Sequence, residues 1–143
     1  RKERDFPESL GLLLENPYFL TQYTGYQNLK LLASIKNKIG DEDIVHALER
    51  VGLEAADKRK VRKYSLGMKQ RLGIAAAIME EPDILLLDEP FNAIDEGGLQ
   101  LIRDILADFK KAGRIVILAC HDKEELESVS DEIIKMKNGK IEV

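Results

Sequence analysis

The stretch Ile84-Leu85-Leu86-Leu87-Asp88-Glu89-Pro90 runs four apolar residues straight into two adjacent carboxylates and a proline. A solvated loop would mix its charges with small polar residues, and an exposed helix would spread its acids around one face. Two acids at the end of an apolar strand match the arrangement that holds magnesium and activates water in phosphoryl-transfer sites. On this reading Asp88 holds the metal, directly or through water. Glu89, pointing to the other side, orients or deprotonates the attacking water. The alternative is a helix cap, but Pro90 follows and the next capping signal waits until Asp95. His121 falls just past a second apolar run, Ile115 to Ala119, and loops beyond the carboxyl ends of parallel strands form the ligand crevice.

A second constellation is Tyr64-Ser65-Leu66-Gly67-Met68-Lys69-Gln70-Arg71, which leads into the apolar helix Leu72 to Met79. Ser65 can cap that helix, and Gly67 lets another molecule approach its N–H groups, where the helix dipole favours a phosphate. A capped helix with no ligand is the alternative. Cys120, at a strand end, reads as a small buried residue rather than a reactive thiol. His46, on an amphipathic helix with no partner motif, is assigned no role.

The elements that must position these residues follow from periodicity. Leu10 to Leu14 reads as a buried strand before the turn Glu15-Asn16-Pro17. Thr24 with Gln27 fits a capping box, and Leu29, Leu32 and Ile35 carry an apolar stripe until Gly40 stops it. Asp41 can cap the next helix, where Ile44, Leu48 and Val51 face one way and Gly52 supplies the C-terminal signal. Residues from about 24 to 80 are therefore expected to be helical. After Pro82 the pattern is that of an α/β protein: a strand Ile84 to Leu87, then a helix capped by Asp95 whose Leu99, Ile102, Leu106 and Phe109 share a face, closed by Gly113. The strand Ile115 to Ala119 follows, then a short helix starting at Asp122 or Lys123. Ile133 to Lys137 and Lys140 to Val143 flank Asn138-Gly139, the dipeptide suited to a type I′ hairpin turn.

Composition bounds the answer. The 143 residues suit one domain with a real core, and 44% hydrophobic with 34% charged residues is ordinary for a globular protein. A net charge of -4 gives no basic footprint for nucleic acid. No apolar run approaches the roughly 18 residues that span a bilayer. One cysteine permits no internal disulfide, which suits a reducing cytoplasm, and one cysteine with two histidines cannot make a zinc site of usual spacing. The charged opening Arg1-Lys2-Glu3-Arg4-Asp5, with no methionine, hints at a start within a longer protein.

Taken together, these motifs resemble the ATP-binding cassette (ABC) ATPases. "YSLGMKQR" is similar to the family's signature, LSGGQ followed by one residue and Gln-Arg, with Ser65 and Gly67 in matching places. "ILLLDEP" resembles its Walker B strand with the catalytic Glu89, "NAID" its D-loop ending in Asp95, and "CHD" its switch histidine, His121. The order and spacing hold across most of the chain. The stretch "LLLENPYFLTQYTGYQNL" further resembles cassettes of exporters of peptides, antibiotics or drugs. Three departures stand out. The phosphate-cradling Gly-x-x-x-x-Gly-Lys-Ser/Thr loop, or Walker A, is absent, so the resemblance implies a cassette lacking its N-terminal part. Glu15 stands where the family's Q-loop glutamine contacts the metal. Leu66 and Met68 replace the signature's first glycine and its glutamine.

The resemblance implies an α/β fold, a partial P-loop NTPase core with a parallel sheet (about 81–143) plus an α-helical subdomain (about 22–80). It implies ATP and Mg²⁺ as ligands, with Glu89 and His121 catalytic, Asp88 and Glu15 at the metal, and Ser65, Gly67, Met68 and Asp95 on the nucleotide. Family cassettes bind ATP between two copies, the Walker A of one and the signature helix of the other. The expected partners are therefore a second nucleotide-binding domain and a transmembrane permease, with the protein peripheral on the inner face of the cell membrane; Tyr18, Phe19 and Tyr23 read either as core or, where the resemblance places the groove, as part of the surface that receives the permease. Without the loop's donors and lysine, these residues alone are expected to bind ATP weakly or not at all and to be inactive. The missing central strand should leave an unpaired edge and bare apolar surface, with self-association or a rearranged C-terminal hairpin as the consequence. Readings from other classes are a non-catalytic interaction fragment and a soluble cassette protein acting on DNA or ribosomes.

Overall fold

Three short apolar segments, β1 (Leu10–Leu13), β2 (Ile84–Asp88) and β3 (Ile115–Ala119), pair in parallel in the order β1-β2-β3. This is a computed structural model that describes residues 9–142; the charged opening Arg1 to Asp5 and the expected last hairpin residue, Val143, lie outside the described residues. The register sets Leu13 beside Leu87, Leu87 beside Leu118, and Asp88 beside Ala119. Alternation along the strands sends Leu13, Leu85 and Leu87 into the core, while Leu12, Ile115 and Ile117 stay exposed on the other face.

Between β1 and β2 run the helices α1 (Gly25–Lys36), α2 (Asp41–Arg50) and α3 (Leu66–Ile78). The expected capping box opens α1: Gln27 N–H donates to Thr24 Oγ1 at 3.2 Å and Thr24 N–H to Gln27 Oε1 at 3.0 Å. Its apolar stripe is narrower than expected. Leu29 is buried, but Leu32 and Ile35 are exposed, because the inward face uses Gly25, Asn28, Leu29 and Ala33. Asn28 is buried with its amide satisfied, accepting from Leu20 N–H at 2.8 Å and donating to the Leu20 and Thr24 carbonyls. Asn37 in the left-handed region, not Gly40, ends α1. Gly40 instead is the N-cap of α2, its N–H held by the Asp43 carboxylate at 2.9 Å. Asp41 is thus inside the first turn, where its charge suits the helix N-terminus and pairs with Lys30 of α1.

Residues 51–60 form no helix, although the region from about 24 to 80 is expected to be helical. Asp57 holds both the N–H and the guanidinium of Arg59, a local alternative to helical bonding, and that hydrogen bonding keeps its carboxyl below the usual range. A 3₁₀ turn at Val61–Lys63 then enters α3, which is buried on nearly every side and lies across β1. The crossing is close. A Cβ on Gly11 would lie 2.1 Å from the Ala77 carbonyl oxygen, and one on Gly73 would lie 2.7 Å from Leu13 Cδ1.

Between β2 and β3 runs α4 (Glu96–Lys111), capped by Asp95, with Ile102, Ile105, Leu106 and Phe109 buried. Glu81, with φ of 50°, joins Arg50 of α2 and Arg114 before β3, and both guanidiniums lie over the Phe109 ring. After α5 (Lys123–Val129) the hairpin of β4 (Met136–Lys137) and β5 (Lys140–Ile141) turns on Asn138 and Gly139, both at positive φ as a type I′ turn requires. It is shorter than expected: Ile133 and Ile134 lie outside the strand and are exposed, because the hairpin forms its own two-stranded sheet with no core face. It does not seal β3, an edge strand among the described residues. A groove of about 950 Å³ runs along that region, lined by Leu12, Leu86, Ile115, Ile117, Ile134 and Met136 among others. Among the described residues no helix is long and apolar enough to cross a membrane.

The crossing of α3 over β1 predicts opposite outcomes for two glycines. Gly11→Ala should lower unfolding free energy by about 1–3 kcal/mol through overpacking. Gly97→Ala, on α4 with open space around it, should be neutral or stabilising by up to about 1 kcal/mol. Urea unfolding of both variants checks the pair.

Candidate active site

The chain leaves β2 at Asp88, which is half-buried, and turns at Glu89 with φ of 49°. Pro90 disfavours the right-handed helical region for the residue before it. A non-glycine residue in the left-handed region costs on the order of 1–3 kcal/mol, so it persists only where its surroundings hold it. Here they do so from three sides: Glu89 N–H donates to Ala119 O of β3 at 2.8 Å, while Glu89 O accepts from Gln70 Nε2 at 2.8 Å and from Asn92 N–H at 3.2 Å.

That backbone carries the Glu89 carboxylate to the His121 ring, Nδ1 to Oε2 at 2.9 Å. An ionised carboxylate only accepts, so Nδ1 is the donor and Nε2 is the nitrogen left facing out. Glu89 is mostly covered and His121 is exposed. Directly after His121, Asp122 caps α5, whose Glu125 forms a forked ion pair with Arg103 of α4, 2.7 Å at its shortest. Among the described residues Asp88 forms no ion pair, and the Glu89 carboxylate meets only the His121 ring.

The structure therefore brings Glu89 and His121 together at the carboxyl ends of neighbouring strands, while Asp88, the last residue of β2, lines the groove beside β3. Glu15 is exposed, two residues past the end of β1, at the same end of the sheet. Among the described residues no three His, Cys, Asp or Glu side chains gather into a metal cage. Magnesium commonly uses one or two carboxylates and completes its shell with water and substrate phosphates, so Asp88 suits it.

The signature residues sit elsewhere. Ser65 caps α3, its Oγ accepting from Met68 N–H at 3.1 Å, and Met68 packs partly against the core. Leu66, at the first helical position, is exposed. No hydrogen bond joins Ser65, Gly67 or Met68 to Asp88, Glu89 or His121 among the described residues. Asp95 accepts from Gly98 N–H at 2.9 Å as the cap of α4. Gly67 has a constraint its sequence context did not reveal: a Cβ there would lie 2.5 Å from the Ala93 carbonyl oxygen, in the loop after Glu89. Gln70 was likewise missed as a functional residue. The available signal was an amide just ahead of the apolar run Leu72 to Met79, which needs a partner if buried.

Tyr18 and Tyr23 are exposed and Phe19 is half-buried. His46 is exposed on α2. Cys120 is partly buried against the core, and that burial pushes its thiol up from the ordinary value.

A profile of the ABC transporter family matches residues 1–92. The chain belongs to the ABC transporter family. It is 50% identical over 141 residues to the uncharacterized ABC transporter ATP-binding protein YybJ of Bacillus subtilis (strain 168), covering 99% of this chain and 65% of that protein. It is 41% identical over 131 residues to the bacitracin transport ATP-binding protein BcrA of Enterococcus faecalis, covering 91% of this chain and 42% of that protein. The chain thus spans less than two thirds of the length of these relatives. Its fold matches the solved dimeric, post-hydrolysis ATP-binding cassette MJ0796 bound to ADP and Pi, with a TM-score of 0.81 at 23% identity over 94% of this chain and 61% of that one. The α/β class and parallel sheet agree with that ABC fold.

The raised thiol gives a direct test of the packing role of Cys120. Alkylation by iodoacetamide at pH 8 should be slower than for a small-molecule thiol, and its rate should keep climbing as pH passes the ordinary thiol range. Mass spectrometry of the modified protein over time checks this.

Proposed function

We propose that this chain carries the hydrolytic half of an ATP-driven transport cassette. The observation that carries the reading is Glu89: an acid just past a parallel strand's carboxyl end, next in sequence to Asp88, held in a left-handed backbone with its carboxylate on His121. Bound ATP with Mg²⁺ would supply the phosphoryl centre and the charge that these acids lack. Asp88 would hold the metal, with Glu15 a second candidate. Glu89 Oε2 is occupied by His121, so its other oxygen is the one to orient water and take its proton. His121 fixes the carboxylate through Nδ1 and presents Nε2 outward. Ser65, Gly67, Met68 and Asp95 would face nucleotide bound on a second copy.

Partners and cargo rest on the same reading. The match to a bacitracin transport protein and the stretch Leu12 to Leu29 support an exporter of peptides, antibiotics or drugs, working as paired cassettes on a transmembrane permease at the inner face of the cell membrane. The exposed Tyr18, Leu20 and Tyr23 support a permease contact there. The apolar groove beside the β3 edge supports association of copies of this chain. Because the sequence holds no Gly-x-x-x-x-Gly-Lys-Ser/Thr loop, these 143 residues alone should bind ATP weakly and turn it over poorly.

In an ATPase assay of the full-length protein, Glu89→Gln should lower kcat by about 10²-fold or more while ATP binding persists. Unchanged turnover would remove Glu89 from this role.

A further inference from the structure

Resting on that hydrolytic reading, we propose that Gln70 is a positioning residue that ties the N-terminal end of α3 to the Glu89 carboxylate of the same chain.

Gln70 is 7% exposed, on the second turn of α3. Its Nε2 donates to the Glu89 carbonyl at 2.8 Å, and among the described residues it is the one side chain that grips the backbone of this residue at φ 49°. Three residues earlier Gly67 abuts the Ala93 carbonyl with no room for a Cβ. The first two turns of α3 therefore touch the 89–93 loop at both ends. A helix moves as a stiff rod of about 1.5 Å per residue, so Ser65 and Gln70 shift together. The peptide orientation at Glu89 decides where its carboxylate points. In the present geometry it points at His121 Nδ1, 2.9 Å away.

Whatever docks at the Ser65–Met68 end of α3 thus bears on the carboxylate through two short contacts rather than through the sheet. Gln70 makes the acid responsive to movement at that end of α3. Arg71, the next residue, turns away, its Nη1 reaching the Gly52 carbonyl at 3.4 Å. The linkage therefore belongs to Gln70 and not to the polar pair as a whole.

The test uses Gln70→Met, which keeps length and packing but removes the donor. NMR of the imidazole rings, assigned with His121→Asn, reads the linkage without any turnover: the His121 signals should move while those of His46, exposed on α2, stay. In the full-length protein kcat should fall about tenfold or more with KM for ATP within twofold. A folded Gln70→Met protein with unmoved His121 signals would overturn the proposal, as would raised KM at unchanged kcat. Should His121 respond while Glu89→Gln leaves turnover intact, the hydrolytic reading fails and the Gln70 linkage stands.

Discussion

A carboxylate must be held where the backbone does not want to go. Glu89 sits at positive φ because Pro90 closes the ordinary helical alternative and because Ala119, Asn92 and Gln70 supply its peptide with partners. Each of those partners belongs to a different element. The β2–β3 pairing provides one, the loop itself another, and the buried flank of α3 the third. The parallel sheet is thus a means of delivering one acid to one imidazole, and losing register between β2 and β3 would part them.

The helical layer serves the same end by being incompressible where it crosses the sheet. Gly11 and Gly73 let α3 lie against β1 at a distance no side chain would allow, which fixes the height of Gln70 above the Glu89 loop. Around the far side, Glu81 with Arg50 and Arg114 joins α2 to the start of β3, and the Phe109 ring under both guanidiniums keeps those charges partly desolvated. Such pairs add modest stability singly. Their value is geometric, since they link the segments before and after the acid strand.

The acid pair, the histidine and the strands that carry them were legible because each is a local pattern: apolar runs ending abruptly in charge, with Asp95 and Asp122 capping the helices just downstream. The ABC family was legible for the same reason. The features that escaped reading were set by tertiary contact. Leu32 and Ile35 have the right spacing for a buried stripe, yet Asn28 takes the inward place because the 20–24 loop needs its amide. The stretch 51–60 has no helix-breaking proline or glycine after Gly52, and Asp57 breaks it through a side-chain bond. Gly67 invites the approach of a ligand in sequence, and only the fold shows that the Ala93 carbonyl lies where its Cβ would go.

That last contact alters how genetic data at position 67 should be interpreted. Any replacement there introduces an atom into the space of a backbone oxygen, and the segment leading to the α4 cap must give way. Defects from such alleles would therefore carry the displaced loop with them, and only a change that leaves the glycine intact can probe that end of α3 without it.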